Sequence, residues 1–305
     1  MDHAAGDPGR SPAGPEQVRT RLAATAALVL GAALAASAAS AQPLRTLTSS
    51  RQLHGESALA VNVTYVAGRF RLVPAAPGTL YQMEMRYDED KFLPVRSYDP
   101  ASGELSLGLR SRGHVTLANH GDEDEVPTLN LALAAGVPIA LTVELGAAEA
   151  DADFGGLALT SLRYKTGASH SRLRFGRPNA APCDSLTIEA GAAEFTATGL
   201  GNANCRHLRV EGAVGAMTLD FTGAARGSAD ADIHLGLGTL KLVLPRAVGV
   251  AITLDRFLAT FDPNSFTRHG DVYYSDDYAA TRTHLDLKVN SAFGGIEVAW
   301  VSASR

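Results

Sequence analysis

Hydrophobic and polar residues alternate along most of this chain in short runs, and many of those runs break at a glycine. Between Val143 and Trp300, the glycines Gly146, Gly167, Gly191, Gly215, Gly238 and Gly294 each open such a run. The residues two, four and six places on form one face: Ala148/Ala150/Ala152, Ser169/Ser171/Leu173, Ala193/Phe195/Ala197, Met217/Leu219/Phe221, Leu240/Leu242/Leu244 and Ile296/Val298/Trp300. Before each glycine lies a partner run such as Leu141-Val143-Leu145, Leu186-Ile188 or Leu285-Leu287-Val289, interleaved with Glu144, Glu189 or Lys288. Period-two alternation is that of a half-buried strand. Its recurrence about every 21 to 24 residues predicts a stacked β-solenoid of about six rungs. The glycine serves the bend, where φ must be positive or a side chain would strike the next rung. One rung cannot bury its own face, so stability must come from stacking.

Upstream, Leu59 to Leu72 follows the same alternation around Gly68. Further strands are predicted at 80–87, 92–98, 104–109 and 128–133, separated by turn signals such as Pro77-Gly78 and Asp99-Pro100-Ala101-Ser102-Gly103. The reading is an all-β chain: a small antiparallel β module over 59–135 precedes a solenoid over 136–303, with a linker at 42–58. From 255 to 284 the periodicity lapses and aromatics gather, among them Phe261, Phe266, Tyr273, Tyr274 and Tyr278. Such an insertion is expected to plug an end of the stack against unpaired strand edges.

The first 41 residues read as a secretory signal peptide: Arg19 and Arg21, an apolar run from Leu22 to Ala36, then Ala39-Ser40-Ala41 before cleavage at Gln42. Residues 1–17 fit no part of such a leader, so translation is expected to start at Val18. Nothing downstream is apolar enough to span a membrane. The leader's Asp2, Asp7 and Glu16 balance Arg10, Arg19 and Arg21, so the net charge of −5 is carried by the remaining chain. Mild acidity without a basic cluster argues against nucleic acid or anionic lipid as partner.

Cys183 and Cys205 are the only cysteines and sit in matching contexts, Cys183-Asp-Ser-Leu-Thr-Ile-Glu and Cys205-Arg-His-Leu-Arg-Val-Glu. On neighbouring rungs equivalent positions lie about 4.8 Å apart, within disulfide reach, and an exported protein would oxidise the pair. Outward positions on the first two rungs set Glu149, Asp151 and Asp153 over His170, Arg172 and Arg174. This reads as a surface ladder of ion pairs that fixes register.

Catalytic motifs are missing: no Gly-x-Ser-x-Gly, His-Glu-x-x-His or phosphate-binding loop occurs. Glu189 and Glu211 occupy equivalent outward positions, at a spacing that could suit a retaining glycosidase pair. Lys165 and Arg209 beside them read instead as surface salt-bridge partners. His114, His120 and the acids Asp122 to Glu125 lack the turn of an organised calcium loop and read as a solvated acidic loop. No catalytic residue, metal or cofactor is expected.

Two stretches carry a family resemblance. Leu80-Tyr-Gln-Met-Glu-Met-Arg-Tyr-Asp with Pro94-Val-Arg resembles the domain that precedes "toastrack" domains in bacterial envelope proteins. Gly236-Leu-Gly-Thr-Leu-Lys-Leu-Val-Leu-Pro and Phe293-Gly-Gly-Ile-Glu-Val resemble the toastrack itself, found in cell-wall-active antibiotic response proteins of the LiaF and LiaG type and in adhesin heads. The resemblance implies a fold and no catalytic residues. The function expected is that of an exported, non-catalytic envelope protein, periplasmic or extracellular, whose solenoid faces meet a protein or cell-wall glycan. An adhesin-like or envelope-stress accessory and a carbohydrate-active enzyme are the alternatives.

Overall fold

A computed structural model of the protein describes residues 44–113 and 126–302; the leader, His114, His120 and the Asp122–Glu125 acids lie outside them. Sixteen strands form one hydrogen-bonded network. The rungs are β2 (Leu59–Pro74), β7 (Pro138–Asp153), β8 with β9 (Ala158–Thr166 and Ser169–Arg174), β10 (Cys183–Thr198), β11 (Cys205–Asp220), β12 (Ala229–Pro245), β13 (Gly249–Phe261) and β16 (His284–Val301). Each pairs in parallel with its neighbours in the stack. Along β7 and β12 the burial alternates residue by residue, as the sequence pattern requires.

Every rung is a strand bent into two arms, and the inward faces of both arms meet in one core. Tyr164 before the bend packs on Phe195 after it, ring centroids 6.1 Å apart, and Tyr65 packs on Phe70 at the same distance. Where the core is polar it is mostly self-satisfied: the buried Tyr164 hydroxyl and Ser171 Oγ are 2.9 Å apart, and Ser171 and Ser169 share a 3.2 Å contact. Burial pushes both the Tyr65 and Tyr164 phenols well above the ordinary tyrosine range.

The stack departs from the sequence expectation in four places. Residues 45–52, taken as linker, form β1 (Arg45–Gln52), antiparallel to β3 (Thr79–Tyr87). Leu59–Pro74, assigned to an antiparallel module, is a solenoid rung in parallel register with β7 from Leu59↔Ile139 to Leu72↔Ala152. The outer side of β2 is covered by β5 (Glu104–Ser111) on its first arm and β6 (Thr128–Leu133) on its second. The antiparallel pairings lie beyond these, β4 (Phe92–Asp99) on β5 and β3 on β6. β13 is also a rung, and it runs past residue 255 where the sequence periodicity lapses: no glycine marks its bend, where Ala259 stands opposite Gly294.

The fourth departure is in order. β16, last in the chain, lies between β12 and β13. The aromatic insertion ends the stack: β15 (Val272–Ser275) pairs with β13 over Ala251–Thr253 and carries β14 (Phe266–His269) beyond it. Phe261, Phe266, Tyr273 and Trp300 pack there as one aromatic cluster.

Candidate functional site

At the bend the ladder skips at least one residue per rung, and the first skipped we call the corner: Val66 on β2, then Gly146, Gly167, Gly191, Ala213, Gly236 and Ala292, and residue 257 on β13. Gly191 therefore stands opposite Ala213, and Gly215 opposite Ala193, so the glycine spacing misaligns β10 and β11 by two residues. The spacing of the cysteine contexts holds throughout the pair. The glycines at Gly68, Gly215, Gly238 and Gly294 lie two places after the corner, with φ between 113° and 142°.

Small corners leave a groove along the stack. It encloses about 630 Å³ and is floored by Gly167, Gly191, Ala213, Gly236 and Ala292. One wall is a row of polar residues two places before the corner: Lys165, Glu189, Glu211, His234 and Asn290, each in register with the next. Arg163 and, at 3.6 Å, Lys165 pair with Glu189, while Arg209 donates to Glu211 at 2.6 Å. Each carboxylate of the equivalent pair thus has its own cation.

The other side of the corner is apolar. One place past it, β11, β12, β16 and β13 present Val214, Leu237, Phe293 and Leu258, which are 49%, 50%, 43% and 63% exposed. They are register partners, Val214↔Leu237↔Phe293↔Leu258, and make one ridge about 14 Å long at parallel-strand spacing. On β7, β9 and β10 the same place holds the exposed alanines Ala147, Ala168 and Ala192. Scattered exposed apolar residues are ordinary, but four in register form a contiguous patch of the kind that marks a contact surface. The strand alternation hides this ridge. Its sequence signal is the large apolar residue directly before each late glycine: Val214-Gly215, Leu237-Gly238, Phe293-Gly294.

The ladder residues lie on the second arm. Glu149, Asp151 and Asp153 stand opposite His170, Arg172 and Arg174 in the β7–β9 register. The ion pairs themselves run elsewhere. Arg174 reaches Asp151 at 3.0 Å on the diagonal, Arg69 approaches Glu149 at 3.9 Å, and His170 contacts Glu194 at 3.1 Å. Asp153 accepts from the Gly155 N–H at 2.8 Å. Long side chains on a strand reach diagonal neighbours as readily as opposite ones, so register is specified without three direct pairs. Cys183 and Cys205 are register partners with Cα atoms 4.3 Å apart, joined by a disulfide. Among the described residues no group of His, Cys, Asp and Glu could hold a metal ion.

No curated protein matches the chain. Among solved structures it is similar to a "putative cell adhesion protein" from Clostridium sporogenes ATCC 15579, at 16% identity and TM-score 0.45 over 85% of this chain and 100% of that one. It is also similar to a "putative adhesin" from Bacteroides fragilis NCTC 9343, at 10% identity and TM-score 0.36 over 84% and 97% of the two chains. Residues 40–196 match the family described as the N-terminal domain of toast_rack, DUF2154, and with just over half its length inside that match the chain belongs to the toast-rack family.

Proposed function

We propose that the protein is an exported, non-catalytic component of the bacterial envelope that holds a protein partner along the corner groove. The observation that carries this reading is the in-register apolar ridge of Val214, Leu237, Phe293 and Leu258 beside a polar wall. Aliphatic side chains with one aromatic ring suit a peptide segment; a glycan would want flat aromatic platforms and dense hydroxyl partners. Export is supported by the disulfide, since such bonds persist in oxidising compartments. Among the described residues no helix is long and apolar enough to cross a membrane. A non-catalytic role is supported by Glu189 and Glu211 each having its own cation partner. Adhesion, with the ridge meeting a surface protein of another cell, is the adhesin-like form of the same reading.

The test places a photoreactive residue at Leu237 in the native envelope. The expected result is a crosslink to one defined envelope protein that disappears in the Val214→Asp, Phe293→Asp double variant while the fold is kept. Retention on purified cell-wall glycan that survives the same double substitution would overturn the proposal. So would glycan cleavage by the native chain that is abolished in Glu189→Gln, Glu211→Gln.

A further inference from the structure

A second concavity lies at the far side of the rungs from the corner, where successive rungs are connected. The connections differ in length: residues 199–204 join β10 to β11, 221–228 join β11 to β12, and 246–248 join β12 to β13. The longer middle loop lines a cavity of about 240 Å³. Its floor is apolar: Leu200, Leu208, Phe221 and Leu285 are all buried, with Pro245 and Val248 beside them. That volume corresponds to about eight waters at liquid density, the size of a fragment-like ligand.

The walls are pinned. Asn202 Oδ1 accepts from the Ala224 N–H and Asn204 Oδ1 from the Arg226 N–H, both at 2.8 Å, and Ser228 Oγ accepts from the His284 N–H at 2.9 Å. Asn204 takes a left-handed φ of 51° to present its amide, and the next residue, Cys205, is tied through the disulfide to Cys183. A pocket so held is formed before any ligand arrives, which spares the ordering cost of binding.

The charges lining it are of one sign. Arg206 and Arg226 contribute to the lining and no carboxylate does, in a chain whose net charge is −5. Arg206 shares its guanidinium with Asp184 at 2.9 Å, outside the pocket; for Arg226 only the backbone N–H is engaged. An apolar floor with a cationic lining is complementary to an amphiphile bearing one negative group.

We propose that this pocket binds a small monocarboxylate, its apolar body against Leu208, Phe221 and Leu285 and its carboxylate at Arg206 and Arg226. The site is separate from the corner ridge, and either can fail without the other. Octanoate is the probe, titrated calorimetrically into the full chain beside acetate and octyltrimethylammonium, with methyl NMR to locate binding. The expected result is one saturable octanoate site, methyl shifts at Leu208 and Leu285, and at least a tenfold weakening in Arg206→Ala, Arg226→Ala. Acetate should bind far more weakly, for want of an apolar body. Equal binding of octyltrimethylammonium, indifference to the double arginine variant, shifts centred on Leu237, or no octanoate binding would each overturn the proposal. Both arginines are exposed, so the variant keeps its fold; Ala229→Phe, which fills the cavity from its β12 wall, should abolish the same signal.

Discussion

The early rungs β7 to β10 and the late rungs β11, β12 and β16 bend at the same place by different means. In the early half the corner residue is glycine at an ordinary φ, followed by exposed alanine. In the late half the glycine comes two places on, at φ 130° to 142°, and a large apolar residue is exposed just before it. The positive φ is there because the chain must pass its neighbour closely: a Cβ on Gly238 would lie 1.7 Å from the Gly215 carbonyl oxygen, and one on Gly294 equally close to that of Gly238. A Cβ on Gly191 or Gly167 would meet the preceding rung's carbonyl oxygen at 3.1 Å. A Cβ on Gly146 would lie 2.2 Å from the Val66 carbonyl oxygen, so the early corner is a packing convenience at Gly167 and Gly191 only, while the late glycines meet a steric requirement beside an apolar side chain set in solvent. Three of the four ridge residues come from the rungs with the stricter backbone, and Leu258 of β13, which has no glycine at its bend, supplies the fourth.

The sharpest way to break this contrast is to add one methyl to each kind of corner. Gly238→Ala should cost about 4 kcal/mol or more, enough to remove folded protein, because both the φ and the neighbouring carbonyl forbid it. Gly191→Ala should cost about 1 kcal/mol or less, since alanine also limits the unfolded chain. Chemical denaturation of the two variants side by side decides the matter; equal losses would erase the distinction. Next in size is the disulfide, which lies at the seam between the halves and closes a 22-residue separation. Its reduction should cost about 3 kcal/mol, and identical denaturation midpoints with and without reductant would count against any stabilising part.

Smaller effects sharpen the comparison from the surface. Val214→Asp, on the late ridge, should change stability by no more than about 0.5 kcal/mol while removing the partner crosslinked from position 237. Ala168→Asp, at the matching early position, should leave the crosslink untouched. The smallest effect belongs to the second arm of the early half. Arg174→Ala removes an exposed ion pair with Asp151 and should cost a few tenths of a kcal/mol, less at high salt.

What could be read from the chain was whatever repeats locally. The alternation of β7, β12 and β16, the Cys183–Cys205 match and the acid-over-base register of β7 on β9 are short-range patterns, and each recurs in the register of the stack. Pairing between distant segments was not legible. Nothing in Leu59–Pro74 announces that its partner is 80 residues on, and nothing in β13 announces that β16 will separate it from β12. β13 also lacks the glycine that identified other rungs. The ridge escaped because its residues sit at the bend, where period two no longer tells inside from outside, and the two arginines at the small cavity escaped because the start of β11 and the 221–228 connection supply them separately.

The displaced position of β16 bears on how the molecule comes to be made. Synthesis delivers β12 and then β13, yet those two are never neighbours; a gap one strand wide waits between them for residues 284–301. Until that segment emerges, the edge of β12 has no native partner and β13 has only the short hairpin. The stack cannot be finished in the order it is translated: β12 and β13 both wait on residues 284–301, whose entry works as a latch that joins two separate edges into one column.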